Sequence, residues 1–364
     1  MTEEMMPNGF SVTNTPDERE QAKKQMKSCF NRIGWGIVTT MLIWLALLYS
    51  ITITIVVADQ FMPAWRLTDI YNQYLLFINE GTLAIAIFIG FFVFKTAPGI
   101  EDYSAPITFG GFMKILCICF AVSYIGNFIG TIFLTYWTMI TGNEVGNELE
   151  EILSMTDPFM MFISVGVLAP ILEELVFRKL LIDRMRKYGE AVSILVSAGL
   201  FALFHQNFAQ FIYTFSAGVM LGYLYYKTGN YWLSTLLHAI FNIIGGVLPT
   251  LLLPDILAVS EEITALEGTL ANMQTYDEIY HLLYPIVSEY AGSLLLYGVY
   301  LLVLGAVNIT GIVFLVIGFR KYRAEKSSLK LSAPETFGAV FKNPGMICTL
   351  CLLGLLTFLS LFSM

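Results

Sequence analysis

Along this 364-residue chain, apolar runs of about twenty residues recur from end to end, and no other feature limits the fold so strongly. A run of that length crosses a hydrocarbon layer of ~30 Å as an α-helix. In lipid each backbone N–H and C=O must find its partner within the protein, and an open strand edge cannot do so. Nine such runs occupy residues 34–57, 74–94, 113–139, 158–182, 190–207, 209–226, 231–253, 289–318 and 345–363, and all are read as helices. The fold class expected is therefore all-α, a polytopic transmembrane bundle of about nine helices, with eight as the alternative. Composition agrees: 56% of residues are hydrophobic, against roughly 45–50% in a soluble domain.

Residues 1–30 are polar, lack the apolar core of a signal peptide and are expected to form a mobile cytoplasmic tail. Residues 31–364 are expected to form a single membrane domain, with 158–250 as its chemical core. Short basic segments stay cytoplasmic. With nine spans, the clusters Lys23/Lys24/Lys27/Arg32, Lys95/Lys114, Arg184/Arg186/Lys187, Lys227 and Arg320/Lys321/Arg323 all fall on one face, which places the N-terminus inside. The acidic connections 143–153 and 255–278 fall on the other. A net charge of −8 gives no basis for a nucleic-acid partner. The lipid bilayer is the partner that the composition demands. The five cysteines lie mostly within apolar runs as small hydrophobes and lack the companion ligands of a zinc ribbon. Gly126/Gly130 and Gly218/Gly222, one turn apart, read as close helix contacts. Trp35, Trp65, Trp137 and Trp232 lie near span ends, where aromatic rings favour the interface.

The stretch APILEELVFRKLLIDRMRK, residues 169–187, breaks the apolar pattern with Glu173, Glu174 and Arg178. An ionised group within hydrocarbon costs at least ~2.5–3.5 kcal/mol, so its default reading is functional. Glu174 and Arg178 are four residues apart, the spacing of an ion pair on one helical face. Arg178 could equally snorkel to the interface, and Asp183, Arg184, Arg186 and Lys187 read as a solvated helix end. The chain has three histidines, and two of them, His205 and His238, lie in apolar helices; Asn242 follows His238 at a spacing of four. If the fourth and fifth runs turn back near Tyr188 and Gly189, Glu173 and His205 are each sixteen residues from the turn and lie at equal depth. The same rise of ~1.5 Å per residue puts His238 and Asn242 at overlapping depth. These positions are expected to gather in one buried polar layer. A carboxylate and an imidazole holding water between them form a general base, and a second His with an Asn amide suits a developing oxyanion.

The runs EELVFR (Glu173–Arg178), FALFH (Phe201–His205) and HAIFN (His238–Asn242) resemble the EExxxR, FxxxH and HxxxN motifs of the CPBP intramembrane proteases. That group includes the type II CAAX prenyl endopeptidases and the abortive-infection and bacteriocin-immunity-like proteins. The resemblance covers about residues 158–250, and Lys179 stands where many members carry glycine. It implies that Glu173 and His205 activate water, that Glu174 and Arg178 form a supporting pair, and that His238 and Asn242 stabilise the tetrahedral intermediate. It also implies a membrane-embedded or lipidated peptide substrate, prenylated if the likeness extends that far. Hydrolysis without a cofactor is the favoured reading, since the His/Asn spacing fits donors to an oxyanion as readily as metal ligands. A zinc-dependent form of the same reaction is the alternative, since two Glu and two His can supply zinc ligands, although no HExxH occurs. A non-enzymatic immunity or scaffold protein is the alternative outside hydrolysis. In a bland reading His205 is a satisfied core histidine, and His238 and Asn242 are interhelical hydrogen-bond partners. His281, in YDEIYHLLYP, reads as a surface residue.

Overall fold

The computed structural model describes residues 16–99, 103–143, 145, 157–320, 322–327 and 331–362, and among them every regular element is helical. In chain order these are α1 (Pro16–Phe61), α2 (Leu67–Phe94) and α3 (Phe109–Thr141). Then come α4 (Pro158–Tyr188), α5 (Glu190–Phe204), α6 (Phe208–Thr228) and α7 (Tyr231–Ala265). The chain continues with α8 (Tyr276–Glu289), α9 (Ala291–Phe319), α10 (Ala333–Phe341) and α11 (Pro344–Leu359).

Helix is found on all nine expected apolar runs. Six helices, α1, α2, α3, α4, α7 and most of α9, are long and apolar enough to cross a membrane. The pair α10 and α11, bent by 74°, makes a seventh if it is taken as one broken span. Phe88, Phe128 and Leu302 are exposed on their helices, as lipid contact demands of a multi-pass membrane protein. The runs at 190–207 and 209–226 fold differently from plain spans. The helix α5 has 15 residues, about 22 Å of rise, and forms a hairpin with α6 inside the bundle.

The hairpin is flanked on both sides. α6 packs against α3 as well as α5, α3 packs against α9, and α1 packs against α2 and α11. One glycine of each expected pair sits at a close helix contact. A Cβ at Gly126 would lie 2.9 Å from Ser216 Oγ and 3.1 Å from Tyr213 Cα, and one at Gly218 would lie 3.1 Å from Ala198 Cα. Small residues thus let α3 and α5 approach α6, and close van der Waals contact replaces the hydrophobic drive that lipid removes. The α4–α5 turn falls at Gly189, as expected, where φ is +99°; a side chain there would be strained.

Two expectations at the basic end change. Residues 16–30 are the opening turns of α1, with Met26, Cys29 and Phe30 buried and the Phe30 ring 5.6 Å from Tyr188. Residues 1–15 of the expected tail lie outside the described residues, as do Lys321 and nearly all of the acidic connection 143–153. Arg184 and Arg186 are buried rather than solvated. Arg184 donates to the carbonyls of Phe94 and Leu180 at 2.8 and 2.7 Å. Arg186 donates to the Tyr226 carbonyl at 2.5 Å, and its guanidinium lies between the Tyr103 and Tyr226 rings, 4.2 and 4.4 Å from their centroids. Helix-end carbonyls and aromatic faces, rather than water, receive these cations. The second acidic stretch, 255–278, is mostly helical, because α7 runs on to Ala265 and α8 starts at Tyr276; His281 is exposed on α8.

Candidate active site

The polar layer is built around irregular turns of α4 and α7. Glu173 and Glu174 end the α-helical stretch Ala169–Glu174, and the π-helical stretch Leu175–Ile182 follows at once. A second π-helical turn occupies Ser164–Leu168, and a third, Ile243–Val247, directly follows Asn242. Such turns offset the side chains that follow them and recur at functional sites. The Tyr231 hydroxyl donates to the Ile171 carbonyl at 2.5 Å and fixes the start of α7 against α4.

Glu174 and Arg178 form the predicted pair, with no exposure of either side chain and 3.1 Å between Oε2 and Nε. Arg178 also donates to Ser197 Oγ at 3.2 Å, Ser197 Oγ donates to the Phe177 carbonyl at 2.6 Å, and the guanidinium lies 4.8 Å from the centre of the Phe201 ring. The snorkelling alternative fails for Arg178, because the whole side chain is enclosed.

His238 stands between the two glutamates. Its Nδ1 is 3.1 Å from Glu174 Oε1, and its Nε2 is 3.6 Å from Glu173 Oε2. The first distance is a hydrogen bond to a carboxylate that can only accept; the second is too long for one. Glu173 retains 17% exposure of its side chain, against 0% for Glu174, so the glutamate on the open side of His238 is the accessible one.

His205 caps the C-terminus of α5, and its Nδ1 is 2.9 Å from the Phe201 carbonyl. A carbonyl accepts, so this bond places the proton on Nδ1 and leaves Nε2 as the ring's acceptor. The Phe201 ring meets both histidines edge-to-face, 4.8 Å from His205 and 5.7 Å from His238. Glu173 stands beside His238, and the Phe201 ring links the two imidazoles. Gln206, immediately after His205, has a left-handed φ of +53°, a strained conformation for a residue with a side chain. Asn242 Nδ2 donates to the Val165 carbonyl at 2.9 Å, tying the π turns of α4 and α7 together and using one of its two amide hydrogens. Among the described residues, no three His, Cys, Asp or Glu side chains are arranged to hold a metal ion. His238 has a carboxylate at each ring nitrogen, and Arg178 occupies the inner one. The donor set does not fit zinc.

Residues 155–244 match the family model described as Type II CAAX prenyl endopeptidase Rce1-like. Over that stretch the chain is similar to the Rce1-like family. Glu173, Glu174, Arg178, His205, His238 and Asn242 all fall inside the match. UPF0177 protein YxdF of Lactococcus lactis subsp. lactis (strain IL1403) is 24% identical over 121 residues, 33% of this chain and 67% of that protein. No solved structure matches the chain.

Among the described residues the motifs leave out two buried carboxylates, Glu190, which pairs with Lys227 at 3.0 Å, and Glu80. Glu80 of α2 is 8% exposed and lies within electrostatic reach of Glu173, as does Tyr213 of α6. The signal for Glu80 is present in the sequence: it interrupts the apolar run 74–94 and is the kind of intramembrane ionisable group that reads as functional.

Proposed function

We propose that the protein is an intramembrane endopeptidase that hydrolyses a peptide bond with a water held at Glu173, without a cofactor. The observation that carries this reading is His238 set between two glutamates, one closed off by Arg178 and one open to the site. In the reaction, Glu173 takes a proton from water as the oxygen adds to the scissile carbonyl carbon. The free Nε2 of His205 holds the same water. The second amide hydrogen of Asn242 faces the oxyanion as it forms, and His238 Nε2 donates to it once the ring carries a proton on both nitrogens. The C–N bond then breaks, and Glu173 returns its proton to the leaving amine. Glu174 and Arg178 touch no substrate; they fix the orientation of the His238 ring.

The substrate class follows from burial in the bundle and from the family description: a peptide at or within the bilayer, with a C-terminal prenylated peptide as the leading candidate. The basic clusters support an N-terminus in the cytoplasm. Mass spectrometry of new peptide termini in membranes from wild-type and Glu173→Gln cells tests the activity. Termini present only with the wild type are expected. Termini unchanged in a folded Glu173→Gln strain reject the reading, and an unchanged cellular phenotype in that strain favours a scaffold or immunity role.

A further inference from the structure

The helix α2 lies outside residues 155–244, yet it packs directly against Ser164–Leu168 and Ala169–Glu174 of α4. Leu76 of α2 is buried with Met161 of α4 and Val247 of α7. Glu80 follows Leu76 by four residues, so it continues the same face toward the site. Its side chain is buried, Oε1 accepts from Asn79 Nδ2 at 3.3 Å, and Oε2 has no hydrogen-bond partner. A buried carboxyl oxygen without a partner is costly, and in a membrane helix it marks a group kept for something other than packing.

The surroundings show what that oxygen meets. Glu173 of α4 lies within electrostatic reach of Glu80 and itself lies 3.6 Å from His238 Nε2 of α7. Tyr213 of α6 also interacts with Glu173, and its hydroxyl donates to Gln210 Oε1 at 3.1 Å, so it is directed away from Glu80 as a donor. The helix α1, which packs along α2, has no charged side chain between Ile33 and Ala58, and its one tyrosine there, Tyr49, is 61% exposed. Glu173 is thus the charged neighbour that Glu80 finds across the helix contact.

We propose that Glu80 is a further catalytic residue of the hydrolytic site, a second carboxyl that hydrogen-bonds the reacting water and exchanges its proton with Glu173. This rests on the reading of Glu173 as the base. Two carboxyls that interact closely titrate as a pair, so the pH dependence of the reaction belongs to both. A role limited to packing would leave that dependence unchanged.

The test is steady-state cleavage of a prenylated fluorogenic peptide by the full-length protein in proteoliposomes, for the wild type, Glu80→Gln, Glu80→Asp, Glu80→Leu and Glu173→Gln. Glu80→Gln is expected to lower kcat by about tenfold or more, with KM within about twofold, and Glu80→Asp to restore most of kcat. The pH profile of kcat/KM is expected to change in Glu80→Gln, because one of two interacting carboxyls is removed. A Glu80→Gln protein with wild-type kcat and an unshifted profile overturns the proposal. If Glu80→Gln fails to fold, Glu80→Leu decides, since it removes the carboxyl without leaving a buried polar group, and wild-type kcat with an unshifted profile there overturns the proposal equally. An active Glu173→Gln overturns the base assignment itself. An inactive Glu173→Gln beside a wild-type-like Glu80→Gln removes Glu80 alone.

Discussion

Removing one partner of the Glu174–Arg178 pair should be far more damaging than removing both. Neither side chain is exposed, and their charged atoms are 3.1 Å apart. Arg178→Met leaves Glu174 fully buried with His238 as its remaining partner, and uncompensated buried charges of this kind cost about 3–5 kcal/mol. Glu174→Leu strands the guanidinium against Ser197 and the Phe201 ring, with a cost of the same order. Independent effects would sum to about 6–10 kcal/mol in the double variant. With both charges gone, the main loss is the hydrogen bond to His238 Nδ1, about 1–3 kcal/mol, so the double variant should be more stable than either single one. Reversible unfolding of all four proteins in mixed micelles gives the coupling energy, expected to be about 3 kcal/mol or more in favour of the pair. Additive losses would refute the view that these residues act as one enclosed ion pair.

Other consequences follow from the same geometry. His238→Ala removes the imidazole held between Glu173 and Glu174 and should lower kcat by about 10²–10⁴-fold in a proteoliposome cleavage assay, with little loss of the folded fraction. Incubation with a strong chelator should leave cleavage unchanged, because the site lacks a convergent donor set; loss of activity restored by added zinc would contradict this. Gly218→Val should destabilise the bundle by about 1–3 kcal/mol in a thermal unfolding assay, since its Cβ would press on the Ala198 backbone. Arg186→Lys should weaken the α4–α6 end by about 1–2 kcal/mol, because an ammonium cannot both lie flat between Tyr103 and Tyr226 and reach two carbonyls.

The helical architecture was legible because spans announce themselves by length and apolarity, and the motif residues because charged and imidazole side chains are rare in such runs. The pairing of Glu174 with Arg178 was legible from a spacing of four on one helix. That His238 stands directly beside Glu173 was not. Counting residues from Gly189 gives depth along straight α-helices, but not the direction in which a side chain points. The π turns around Glu173 and Asn242 rotate those directions, and His205 spends its Nδ1 on the Phe201 carbonyl at the end of α5. Arg184 and Arg186 were misread because a cluster of cations at a helix end looks alike in sequence whether it meets water or carbonyls and tyrosine rings. Glu80 was not legible as a neighbour of Glu173 because no charged residue near it in the chain pairs with it; its charged neighbour arrives from a helix almost a hundred residues away.

The central claim is that water, activated at Glu173, is the nucleophile. Cleavage of a prenylated peptide in ¹⁸O-enriched water, followed by mass spectrometry of the new carboxyl terminus, tests it most directly. One ¹⁸O atom in the product of the wild-type protein after a single turnover, and no product from folded Glu173→Gln, is the predicted outcome. Labelled product formed at the wild-type rate by Glu173→Gln would contradict it.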